Sequence, residues 1–142
     1  MLLTYLSFAQ LSAQSLSMRK SHLDHWPAIV WEQEWNEIDL RKNKLESWPD
    51  SMKALTGVAV LRLAQNPIDW PDTLIGPSTL RYLDLWDTDI ATVPKVVQGF
   101  ESLEELDLRE TYLDESHREA LERLFPGVKI HLTPRCNCLP KR

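Results

Sequence analysis

Four carboxylates lie close together in the second half of the chain and are the first candidates for chemistry: Asp84, Asp87, Asp107 and Glu110. A carboxylate pair can transfer protons, and a larger group of oxygen ligands can bind calcium. However, no histidine accompanies them, and the sequence has neither a glycine-rich phosphate loop nor a serine or cysteine nucleophile beside a plausible base. We therefore predict that the protein is not an enzyme and uses no cofactor.

Cysteine and histidine do not supply a convincing metal site either. Cys136 and Cys138 are separated by one residue, and a disulfide between such close neighbours would be strained. A structural zinc ion normally has four ligands, and His131 is the only nearby addition. The sequence thus predicts no metal, and it leaves the cysteines as free thiols or as a bond to another chain.

Length and charge narrow the class of protein. The chain has 142 residues, about one domain, and a formal net charge of −5. This charge gives no basic footprint for nucleic acid, so none is expected as a partner. No apolar run approaches the length of a membrane span.

The apolar segment 1–12 allows two interpretations. Its small residues suit the end of a secretory signal and its cleavage site, although no basic residue precedes Arg19. Alternatively, it closes a preceding repeat and turns its apolar side chains toward the core. The first interpretation predicts a secreted or periplasmic protein and the second a cytoplasmic one, so the location stays open.

A short apolar pattern recurs every 22 or 23 residues and determines the architecture. Leu80, Leu83, Leu85 and Ile90 form one copy, at relative positions 1, 4, 6 and 11. Position 9 holds Asn or a shorter substitute, and an Asn there can satisfy backbone groups where the chain bends. Clear copies begin at Trp35, Val58, Leu80 and Leu103, with a weak one at Ala13 and a closing half-unit at Val128 and Ile130.

An apolar–proline pair follows the leucines of four copies: Trp26-Pro27, Trp48-Pro49, Trp70-Pro71 and Val93-Pro94. With the leucine spacing and the asparagines, this pattern resembles leucine-rich repeats with a period near 23 residues, with tryptophan in place of the leucine of a Leu-Pro element. We expect these tryptophans to pack in the core on the return side, and the prolines to discourage long helices there.

The resemblance covers residues 13–132 and implies an α/β leucine-rich-repeat solenoid. Such a solenoid has a curved parallel β-sheet on its concave side, short turns or 3-10 segments on its convex side, and a C-terminal capping helix. The predicted domains are the N-terminal segment 1–12, the repeats 13–132 and a tail 133–142. For the capping helix, Ser116 and Glu119 have capping-box spacing, Pro126-Gly127 ends the helix, and His117 is expected to be merely solvated.

Alternation along each strand turns positions 4 and 6 inward and positions 3, 5 and 7 outward. The resemblance implies that this outward, concave face binds ligands. Its N-terminal part, here called the front, is basic, and its C-terminal part, the rear, is acidic. Trp86 at position 7 is the strongest candidate for a binding hot spot, and the alternative is that it only stacks on Arg62 or Arg109. The candidate binding residues are Arg19, Lys20, Arg41, Arg62, Tyr82, Asp84, Trp86, Asp87, Glu105, Arg109, Glu110 and Tyr112.

These patterns favour a non-enzymatic module that binds a protein or peptide on its concave face. Two alternatives stay open. The chain could be a structural or self-associating secreted or surface module, joined through Cys136 or Cys138, or it could be a fragment of a longer repeat array.

Overall fold

Six three-residue strands form one parallel sheet in the computed structural model, which describes residues 14–134. The middle residue of each strand points into the core, and Ile38, Leu61, Leu83 and Leu106 have no exposed surface. Because one repeat cannot bury its own apolar side, each turn depends on its neighbours. The strands, in sheet order, are β1 Ser15–Ser17, β2 Glu37–Asp39, β3 Val60–Arg62, β5 Tyr82–Asp84, β7 Glu105–Asp107 and β8 Lys129–His131.

Each strand pairs with the next repeat in the same three-residue register, so equivalent positions form straight rows across the sheet. Leu61 pairs with Leu83, and Leu83 pairs with Leu106. The prediction of an α/β leucine-rich-repeat solenoid is confirmed. The register runs unchanged from β1 to β8.

The chain leaves the first five strands of this sheet through turns with a left-handed residue at position 8. None of these residues is glycine, and their φ angles lie between 54° and 60°. Their amides continue the ladder: Lys42 donates to the carbonyl of Ala64, and Gln65 to that of Trp86. The five left-handed residues are Lys20, Lys42, Gln65, Asp87 and Glu110.

Asparagine at position 9 satisfies backbone groups of its turn, as predicted, and also joins it to the neighbouring turn. Asn66 donates to the carbonyls of Leu40 and Leu63 and accepts from the amide of Leu45 at 3.1 Å. Asn43 has the same role in the preceding turn. These backbone groups would otherwise be buried without a partner, so the two asparagines fix how the repeats stack.

The tryptophan column packs on the return side, as expected. Trp48 and Trp70 are about 95% buried, and Trp26 is half-buried. Each indole donates to a carbonyl further along the solenoid, from Trp26 to Ser47, from Trp48 to Ile75 and from Trp70 to Thr92. The helices on this side are short, namely α1 Ile29–Glu32 and a 3-10 turn at Asp50–Ala54.

A second, two-stranded parallel sheet on the convex side was not predicted. It pairs β4, Thr73–Ile75, with β6, Val96–Gln98. Two glycines allow the close approach at its end. A Cβ on Gly76 would lie 2.1 Å from the Phe100 ring, and one on Gly99, where φ is +80°, would lie 2.0 Å from the Gly76 carbonyl oxygen.

The capping helix is present, but its predicted start is wrong. Asp114, not Ser116, is the cap: its carboxylate accepts from the Ser116 amide at 2.9 Å. A 3-10 turn, Glu115–His117, follows before helix α2, Arg118–Leu124. His117 is not merely solvated, because its Nδ1 accepts from the Asp114 amide at 3.1 Å.

The predictions for segment 1–12, and for Cys136 and Cys138, concern residues outside 14–134. Across 14–134, every helix is too short or too polar to cross a bilayer.

Candidate functional site

The concave face carries an open depression of about 530 Å³ at its centre. It lies over the position-5 and position-7 rows of the sheet. Seven of the candidate binding residues line it: Arg19, Arg41, Arg62, Tyr82, Asp84, Trp86 and Arg109. Four further lining residues were not among the candidate binding residues: Lys42, Ala64, Gln65 and Asp107.

The depression exists because position 7 changes size between repeats. Arg41, Trp86 and Arg109 are large, whereas Ala64, in the repeat between Arg41 and Trp86, is small. Ala64 is itself 3% exposed, so it forms the floor and the larger side chains form the walls. A single alanine in a row of large residues was the sequence signal for this shape.

The other five candidate residues lie outside this depression. Lys20, Asp87 and Glu110 occupy the left-handed turns at the sheet's carboxyl edge. Glu105 lines a second depression, of about 490 Å³, at the opposite edge. Tyr112 is 57% exposed at position 10.

Two arginines of the position-7 row are held by aspartates of their own repeats. Arg41 donates from Nε to Oδ1 of Asp39 at 2.9 Å and from Nη2 to Oδ2 at 2.7 Å. Arg109 forms the same two bonds with Asp107, at 3.0 and 2.7 Å. Burial alone would raise the pKa of Asp39, but its hydrogen bonds with Arg41 hold it below the ordinary 3.8.

Arg62 is engaged differently, because Ala64 offers it no partner. Its Nε donates to Oε1 of Glu37 at 2.9 Å, and its guanidinium carbon lies 5.4 Å from the centre of the Tyr82 ring. The arginine–aromatic contact proposed for Trp86 therefore forms on Tyr82. Burial, followed by the charge of Asp84, raises the pKa of Tyr82.

Asp84 differs from the other two position-5 aspartates. It is 7% exposed, and like the other two it accepts a hydrogen bond from the amide two residues on, here from Trp86 to Oδ1 at 3.1 Å. Within residues 14–134 it has no salt bridge, since its repeat has Trp86 at position 7. Burial raises its pKa above 3.8, and the nearby charge of Asp107 acts in the same direction. The sequence carried this signal, as Asp-Leu-Trp stands where two other repeats read Asp-Leu-Arg.

The structure shows how the acidic side chains and a nearby histidine are engaged. Asp107 of the predicted acidic group is tied to Arg109, and no three histidine, cysteine or acidic side chains within 14–134 are placed to hold a metal ion. Ser116, His117 and Asp114 lie together, but both neighbours face the same ring nitrogen, Nδ1. A nucleophilic triad needs the two imidazole nitrogens for separate partners.

Comparison with known proteins supports the fold. No family model and no curated protein matches the chain. Among solved structures, the leucine-rich-repeat protein LIC12759 of Leptospira interrogans is similar, with a TM-score of 0.59 and 22% identity over 75% of this chain. The chain spans 28% of that protein's length. At this identity the similarity shows the fold alone, and the fold is that of a leucine-rich-repeat protein.

Proposed function

We propose that this chain is a non-enzymatic module that binds a protein or peptide on its concave face. The observation that carries the proposal is Trp86, a large aromatic side chain that is 36% exposed at the wall of the central depression. Partly exposed tryptophans on a rigid surface are enriched among binding hot spots. The core of the repeat is formed by position-4 and position-6 leucines such as Leu83 and Leu85, so Trp86 on the outward face is not part of it.

Charge on the face supports an extended, polar partner. Arg19, Lys20 and Lys42 at the front have no ion pair within the described part of the chain, and neither does Asp87 at the rear. A partner with acidic groups toward the front and basic groups toward the rear would be steered into one orientation. The wide, open shape also suits a polypeptide better than a small molecule, which needs an enclosing pocket.

The test is a selection from a displayed random-peptide library, followed by titration calorimetry of the recovered peptides. Trp86→Ala should weaken their binding about 30-fold or more, as hot-spot truncations do. Val96→Ala is the matched control, because Val96 is an exposed apolar residue on the convex strand β6. Equal affinity of the parent and Trp86→Ala, or failure to recover any peptide, would refute the proposal.

Self-association through Cys136 or Cys138 stays a prediction, since both residues lie outside 14–134. Light scattering of the parent under reducing and oxidising conditions separates it from the proposed function. A covalent oligomer that forms only under oxidising conditions would favour the structural role.

A further inference from the structure

Three repeats have an aspartate at position 5, and only two of these aspartates are paired with an arginine. Asp39 and Asp107, the last residues of their strands, each hold the guanidinium of the arginine two residues further along the chain. Asp84 occupies the same row, and the residue two positions on is Trp86. The same carboxylate site therefore occurs three times, and twice the chain fills it with its own arginine.

The carboxylate of Asp84 is already oriented for a guanidinium. In all three repeats, Oδ1 accepts a hydrogen bond from the backbone amide two residues on, and each of these bonds measures 3.1 Å. This shared bond anchors Oδ1 of each aspartate in the same way. In Asp39 and Asp107, Oδ2 then accepts from the arginine, and the equivalent oxygen of Asp84 is the one without an arginine.

The unfilled edge of Asp84 is open to solvent. Its Oδ2 forms no hydrogen bond within residues 14–134. Across the same residues, every fully buried side-chain nitrogen or oxygen has a hydrogen-bond partner. Oδ2 must therefore reach the surface, and Asp84 lines the central depression beside Trp86 and Tyr82.

The neighbouring cations do not occupy this edge. Arg62 pairs in register with Asp84, but its guanidinium is held by Glu37 and lies over Tyr82. Arg41 and Arg109 are each held by their own aspartate.

We infer that Asp84 is the recognition site for an arginine side chain of the bound partner, whose guanidinium takes the place that Arg41 and Arg109 take in their own repeats. This inference rests on the proposed function and specifies the partner's chemistry. Arginine fits better than lysine because its planar fork can donate two parallel bonds to one carboxylate. The Trp86 ring beside the site offers a face for the same guanidinium.

The electrostatics of the site agree with this inference. Burial and the charge of Asp107 disfavour the ionised form of Asp84 and raise its pKa, while the hydrogen bond from the Trp86 amide and the charges of Arg41 and Arg62 offset this only partially. A cation that binds at Asp84 stabilises the ionised carboxylate without displacing an existing ion pair. The carboxylate is held in place beforehand, so little ordering is required when the cation binds.

The direct test uses two small probes and the intact chain. N-acetyl-arginine amide carries the guanidinium, and N-acetyl-citrulline amide has nearly the same shape without the charge. Each is titrated while nuclear magnetic resonance follows the Trp86 indole N–H and the Asp84 side-chain carbon. The arginine probe should bind about tenfold more tightly than the citrulline probe, the effect of one hydrogen-bonded charge pair.

Two variants identify the residue responsible. Asp84→Asn keeps the acceptor for the Trp86 amide but removes the charge, so the arginine probe should fall to the affinity of the citrulline probe. Trp86→Arg restores the Asp-Leu-Arg sequence of the neighbouring repeats, so an internal guanidinium should fill the site, abolish probe binding and raise Tm by about 2–5 °C. Equal affinity of the two probes, or unchanged arginine binding by Asp84→Asn, would overturn the inference.

The peptide selection separates this inference from the proposed function. If recovered peptides depend on Trp86, lack arginine and bind Asp84→Asn as well as the parent, the arginine site is refuted and the proposed function stands. If the arginine probe binds through Asp84 but no peptide is recovered, the site is supported and the proposed function is refuted.

Discussion

Truncation of Trp48 should destabilise the protein strongly, because this side chain closes the return side of its repeat. Trp48 is 6% exposed, its ring centre lies 6.2 Å from that of Phe100, and its indole donates to the Ile75 carbonyl at 2.8 Å. Replacing a buried tryptophan with alanine costs about 3–5 kcal/mol through lost burial and the cavity left behind. The lost hydrogen bond places Trp48→Ala toward the upper end of this range.

The measurement is the free energy of unfolding from urea titration, followed by far-ultraviolet circular dichroism. Because a loss of about 4 kcal/mol is a large part of the stability of a typical domain, Trp48→Phe provides a milder second variant. It keeps an aromatic ring but removes the N–H donor, so it should cost about 1–2 kcal/mol. Trp86→Ala is the matched control at an exposed site and should change the free energy by less than about 0.5 kcal/mol.

A small effect at Trp48 would refute the reasoning. If Trp48→Ala lost less than about 1 kcal/mol, the tryptophan column would not be part of the core. If instead Trp86→Ala lost as much as Trp48→Ala, the concave face would carry the stability attributed to the return side.

Three further changes test separate regions of the structure. Asn66→Ala should cost about 2–3 kcal/mol in urea titration, because the buried Leu45 amide loses its acceptor along with two carbonyls that lose their donor; an unchanged midpoint would contradict this. Gly99→Ala should lower Tm sharply in calorimetry, because φ is +80° and the new Cβ would meet the Gly76 oxygen; a Tm equal to the parent's would show that the convex ladder is not formed. Asp84 has a folded-state pKa above 3.8, so its stabilising contribution is present below pH 3.8 and is lost as the pH rises through that higher value. The stability of Asp84→Asn relative to the parent should therefore increase between pH 3.8 and neutrality, and a constant difference would contradict the raised pKa.

The sequence predicted the sheet well because its signal is repeated in every turn. The buried leucines such as Leu83 and Leu106 recur with a fixed period, and each copy supports the register of the next. The tryptophan column follows the same period and was equally visible. By contrast, the pairing of β4 with β6 occurs once, in segments with no alternating pattern, and depends on the close approach of Gly76 and Gly99.

The helix start and the site were harder to predict for a different reason. Asp114 and Ser116 are both good caps, and the sequence does not show that a 3-10 turn intervenes and moves the helix to Arg118. On the concave face, the outward rows were predictable, but the depression depends on the contrast between Ala64 and Trp86. Asp84 is singled out only when the side chains at positions 5 and 7 of each repeat are paired, as in Asp39 and Arg41.

The pairing of β4 with β6 on the convex side also affects the rigidity of the concave face. Strands β3 and β5 pair in the concave sheet, and β4 and β6, which follow them in the chain, pair on the convex side. Within 14–134, these are the only two turns held by three-residue ladders on both sides. Hydrogen-bonded strands are spaced about 4.8 Å apart, so equal spacing on the concave and convex sides keeps this pair of coils locally straight and resistant to bending. Ala64 and Trp86 lie on this rigid pair of coils, so we expect the surface that they form to keep its shape when a ligand binds.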